Sequence, residues 1–134
     1  MQKLILSATI LMMVFAQVNA ADDEAEARAA SAYISLGDPM VLNLSGSRRL
    51  TFLQLSADVL VSDSDAEETI KTHVPAIRHS LIMLLSEQKA GDIKSPARRE
   101  EIRLQATSQV QALIADLSGS AVVSEILFSS ILVQ

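Results

Sequence analysis

His73 and His79 are the only imidazoles in this chain, six positions apart in a segment with helical spacing. Six helical positions turn about 240°, so this pair cannot close on one metal ion as residues four apart can. The acidic residues come as neighbours, Asp22-Asp23, Glu67-Glu68 and Glu100-Glu101. Adjacent carboxylates in a linker or at a helix start favour solubility and compensate the helix dipole, whereas general acid–base work needs carboxylates converging on one bond. Serine meets glycine around Gly46 and Gly119, without the G-x-S-x-G spacing of a nucleophile elbow. No glycine run is present to cradle a phosphate. Cysteine is absent, which excludes disulfides, a thiol nucleophile and a lipid anchor on cysteine. These residue types predict no catalytic, metal or cofactor site, and a protein that works by contact.

Composition narrows the partners. The formal charge of −5 includes Lys3; without the first twenty residues, ten basic and sixteen acidic groups leave −6. A nucleic-acid partner needs a basic stripe to meet phosphates, so this balance argues against one. About half the residues are hydrophobic, with one tyrosine and no tryptophan. The core of the single domain this length allows is therefore aliphatic.

The opening MQKLILSATILMMVFAQVNA places a lysine before an apolar run from Leu4 to Phe15, followed by Val18-Asn19-Ala20. That order is the order of a secretory signal, with candidate cleavage between Ala20 and Ala21. The run is shorter than the 18 to 20 apolar residues of a comfortable membrane span, so the alternatives are a cleaved signal peptide or a short membrane anchor over residues 1–20. Both put the rest of the chain outside the cytoplasm. Residues 21–32 (ADDEAEARAASA) lack bulky apolar groups and read as an acidic, alanine-rich linker. The folded domain is expected over residues 33–134.

Within it, Tyr33 to Leu36 is a short extended piece stopped by Gly37-Asp38-Pro39, and Met40 to Leu44 resumes it before the turn residues Ser45-Gly46-Ser47. From Leu50 to Val61, apolar residues at Leu53, Leu55, Ala57, Val59 and Val61 alternate with their neighbours, the pattern of a strand with one covered face. Ser64 and Glu67 have the spacing of a capping box. Ala66, Ile70, Val74, Ile77, Leu81, Leu84 and Leu85 then follow a helical stripe. Pro75 lies inside that helix and predicts a kink, because it removes a backbone donor. Gly91-Asp92 predicts a break. Ser95-Pro96 starts a second helix, whose buried face is read as Ile102, Ala106, Val110, Leu113 and Leu117, with Gly119 as its stop. Its early charges, Arg98 to Glu101 and Arg103, are expected mostly on the solvated side of the first turns. Val122 to Val133 has apolar residues on both faces and is expected to be a central strand or one covered on both sides. The order is β-β-α-α-β: an α+β domain with helices packed on a mainly antiparallel sheet.

This succession resembles the FliL family of flagellar basal body-associated proteins. The similarity is carried by YISLGDPMVLNL from Tyr33 to Leu44, LTFLQLSADVLV from Leu50 to Val61, and His73-Val74-Pro75-Ala76-Ile77-Arg78 running into Leu81 to Ser86. Pro96 to Glu100 and the closing Ile126 to Gln134 complete it. The resemblance implies a non-enzymatic periplasmic domain related to the stomatin/SPFH fold, without cofactor, metal or small-molecule substrate. It implies a ring of copies around the flagellar stator, on the periplasmic side of the inner membrane, supporting rotation, swarming and swimming, and chemotaxis. A cleaved signal would instead leave the protein in the soluble periplasm. FliL proteins usually carry a basic cytoplasmic segment and a full membrane helix, and this chain departs from that at its start. Under this reading Pro75 sets the angle of the first helix, and Glu68, Lys71 and Arg78 on its solvent face meet a neighbouring subunit. The alternative is an exported protein-binding module with an SPFH-like fold and no motor role.

Overall fold

The computed structural model describes residues 31–63 and 66–134. The export segment with its Ala20–Ala21 junction, nearly all of the acidic linker, and Ser64 of the expected capping box lie outside the described residues.

Alternate side chains of an extended chain share a face. In β3 (Thr51–Val61) that face is Leu53, Leu55, Ala57, Val59 and Val61, all buried. β1 (Ala32–Ser35) and β2 (Met40–Leu44) both run antiparallel to β3 on one of its edges, with Ala32 opposite Val61 and Met40 opposite Leu55. They are two lengths of one interrupted strand. The Leu36 amide still donates to the Ala57 carbonyl at 3.1 Å, and then Gly37-Asp38-Pro39 leave the ladder. Gly37 has φ +85°, a left-handed conformation in which a side chain is strained.

β4 (Val123–Val133) pairs with the other edge of β3, antiparallel from Val61 to Leu53. Among the described residues β4, expected to be central or covered on both sides, is thus an edge strand, and β3 is the centre. The misreading has a physical cause. Ser124 and Ser129 oppose no residue of β3, and each such bulge shifts the side-chain alternation by one. Val123, Ile126, Phe128, Ile131 and Val133, spaced by three and two, therefore all oppose the inward residues of β3. A period-2 reading scatters them over both faces.

Among the described residues three helices cover one face of the sheet where two were expected. α1 (Glu67–Ser86) buries Ile70, Ile77, Leu81, Leu84 and Leu85. Its cap position is Ala66, which makes no side-chain cap bond; the first-turn acids Glu67 and Glu68 complement the dipole instead. α2 (Ala90–Lys94) is a single turn where a plain break was expected, and it delivers the buried Ile93 to the core. α3 (Pro96–Ser118) starts as expected, with the Ser95 hydroxyl accepting from the Arg98 amide at 3.5 Å and Pro96 in the first turn, and stops at Gly119 with φ +73°. Its buried stripe is Ile102, Ala106, Thr107, Val110 and Ile114. Leu113 is only half-buried and Leu117 is exposed, since burial on this helix ends at Ile114, a turn before Leu117. α1 packs on β2 and α3, and α3 packs on β4 and α2.

Candidate interaction surface

The solvent-facing stripe of α1 carries the residues singled out from sequence. Glu68 and Lys71 are exposed. The Lys71 ammonium lies 2.5 Å from the Glu67 carboxylate one turn earlier, and this hydrogen bond, with the attraction between the charges, holds it above its ordinary pKa. Pro75 is on the same exposed side, and α1 continues through it to Ser86. Proline cannot donate to the carbonyl one turn back; on this side water can take that bond.

Arg78 behaves differently from the free surface charge that was expected. Half-buried, it donates through Nη1 to the Leu36 carbonyl at 2.8 Å and the Asp38 carbonyl at 2.6 Å. It fastens the bend between β1 and β2 to α1. At the other end of β2, Ser45 donates from its amide to the Gln88 carbonyl at 3.1 Å and from its hydroxyl to the same oxygen. Charge on α1 thus divides between the exposed Glu68 and Lys71 and an arginine engaged within the domain.

A second set of polar groups escaped the sequence reading. Arg103, Thr107 and Gln111 stand at steps of four on α3, which places them on one helix face. That face lies along the outer edge of β4. Gln111 donates to the carbonyls of Val123 and Ser124 at 3.1 and 3.0 Å. The Thr107 hydroxyl accepts the Ile126 amide at 3.0 Å, and Arg103 donates to the Ile126 carbonyl at 2.9 Å. Arg103 also meets Glu100 at 2.7 Å and Glu125 at 3.1 Å. Its hydrogen bond to Glu100 lowers that carboxyl's pKa and raises the guanidinium's own. Unlike most of the early charges of α3, Arg103 is largely covered, with 18 % of its side chain accessible, less than its ion-pair partners. The available signal was the four-residue polar rhythm beside the apolar stripe.

His79 is exposed and His73 half-buried, and neither makes a hydrogen bond or ion pair among the described residues. No described cluster of three metal-ligating side chains occurs, and no described helix is long and apolar enough to cross a membrane. The sheet face opposite the helices carries exposed Tyr33, Val41, Phe52 and Leu132.

Residues 33–134 match the family model described as flagellar basal body-associated protein FliL. This chain belongs to the FliL family. The matched range covers every strand and helix described above except Ala32, the first residue of β1. One curated relative, the flagellar protein FliL of Aquifex aeolicus (strain VF5), is 20 % identical over 81 residues, 60 % of this chain and 50 % of that protein. The chain thus spans about half the length of the curated relative that it matches. The FliL resemblance read from the sequence is borne out at the level of family.

Proposed function

We propose that this FliL-family chain is a non-enzymatic accessory protein of the flagellar motor that acts by binding stator and other basal-body proteins. One observation carries the reading: the family match spans residues 33–134, so it rests on the whole fold and not on one common strand. The polar groups that the fold brings together on α1 and α3 hold backbone groups of the sheet. In this proposal copies of the domain, related in fold to the stomatin/SPFH group, assemble as a ring on the periplasmic side of the inner membrane. The exposed stripe of Glu68 and Lys71 lies at a subunit contact, with Pro75 setting the angle of α1. Residues 1–20 tether the ring or, if cleaved after Ala20, release the subunit to the soluble periplasm.

Deleting the gene tests the role. Reduced swimming and swarming, with a fluorescent fusion gathered at flagellar bases, is the expected result. Unchanged motility and diffuse periplasmic fluorescence would sink the motor role and leave a periplasmic binding module. The mass and N-terminus of the protein from membrane and soluble fractions decide between tether and cleavage.

A further inference from the structure

We propose that the distal half of the outer edge of β4 is a strand-addition site for an extended, acidic peptide segment of another polypeptide.

Antiparallel pairs alternate between residues that exchange both backbone bonds and residues whose groups point outward. Phe52 and Gln134 exchange both, at 2.8 and 2.9 Å. Counting back along β4, Val133 and Ile131 point outward, and beyond the Ser129 bulge so do Phe128 and Ile126. Two contacts agree with this count. The Ala57 carbonyl, opposite Phe128, turns to the far edge to accept from Leu36. The Ile126 amide and carbonyl go to Thr107 and Arg103.

The proximal half of this edge is therefore closed by α3. For Phe128, Ile131 and Val133 no partner of the outward amide or carbonyl occurs among the described residues. Instead a groove of about 520 Å³ opens there, with Pro96, Arg99, Glu100 and Arg103 on the helix side and Leu127 to Ile131 on the strand side. An uncovered edge is a template for another strand, and peptide recognition by strand addition uses such a ladder.

Charge selects the occupant. Three arginines lie in the first two turns of α3. Arg98 meets Asp92 and Glu101, and Arg103 meets Glu100 and Glu125. Arg99 is half-buried in the groove wall and has no carboxylate partner among the described residues. A strand bonded to Phe128 and Ile131 brings its own side chains against Arg99, where a carboxylate completes the pattern.

The test uses the full chain and a capped octapeptide of alternating valine and threonine with a central glutamate. Fluorescence anisotropy gives affinity, and amide hydrogen exchange gives the site. Binding should slow exchange at Phe128, Ile131 and Val133 at least about tenfold. Methylating alternate peptide amides, which leaves the protein untouched, should abolish binding because the ladder loses its donors. Arg99→Gln should weaken the glutamate peptide about five- to tenfold and leave a glutamine peptide unchanged. The proposal is overturned by no binding at about 1 mM peptide, by equal binding of the methylated peptide, or by indifference to Arg99→Gln. It is also overturned if peptide-free protein self-associates with the same three amides protected, since a second copy then fills the edge.

Discussion

Both edges of the sheet are interrupted, and at both a helix side chain holds the backbone near the interruption. On the β1–β2 edge, an insertion at Gly37-Asp38-Pro39 breaks the strand, and Arg78 from α1 holds the carbonyls of the bend. On the β4 edge, bulges at Ser124 and Ser129 break the register, and Arg103, Thr107 and Gln111 from α3 hold the backbone of Val123 to Ile126. In both places a helix side chain holds backbone groups of the interrupted edge. The difference is reach. The side chains of α3 stop at Ile126, and the groove begins one residue later. An edge is silenced only where a side chain reaches its backbone; beyond that point the same strand remains available for pairing.

Substitutions break or sharpen this contrast. The largest effect is expected at the closed end of β4, where Ile126→Ala should cost about 2 to 5 kcal/mol because a fully buried side chain leaves a cavity. Leu132→Ala, at the half-exposed distal end, should cost less than about 1 kcal/mol. Equal losses in urea denaturation would remove the distinction between the two halves. Next comes Arg78→Met, which keeps the aliphatic stem and removes two charged hydrogen bonds, at about 2 kcal/mol. Hydrogen exchange should then accelerate around Leu36 to Met40 and not along β4; acceleration spread over both edges would show that they are not held separately. Thr107→Val preserves shape but strips the buried Ile126 amide of its acceptor, an expected loss of about 1.5 kcal/mol, read by thermal melting.

The smallest effect concerns Glu100, which is exposed. Its pKa is lowered in the fold through Arg103, so its contribution is present above the unfolded carboxyl value of about 4.3 and fades as pH falls through the lower folded value. Wild type and Glu100→Gln should therefore differ slightly in Tm at pH 7 and converge as the pH falls through the lowered folded value. A constant gap across that range would disconnect Glu100 from the Arg103 network.

Much of the fold was legible along the chain. The alternation from Leu53 to Val61, the helical stripe from Ile70 to Leu85, the Ser95-Pro96 start and the Gly119 stop all report local geometry, so each could be read directly. The errors share a cause too. Ile126 to Val133 looked two-sided because bulges change the period, and a bulge is a property of the strand pair. Leu117 continued the apolar stripe of α3 past the point where burial ends. Arg78 and Arg103 read as solvated because a long side chain carries no mark of the carbonyl it will meet. The groove beside Ser129 was invisible for the same reason, as it exists only between α3 and β4.

By itself, then, the sequence determined most element types, the aliphatic core face of β3, both ends of α3 and the family to which the chain belongs. Those depend on neighbours within a few residues, or on a pattern sustained through the whole domain. Tertiary structure alone decided which strand is central, which charges are engaged within the domain, and where an edge remains open. Each of these depends on contacts between segments far apart in the chain, from Leu36 to Arg78 and from Arg103 to Ile126. Local propensity carries no information about such distances; only the packing of helices on the sheet sets them.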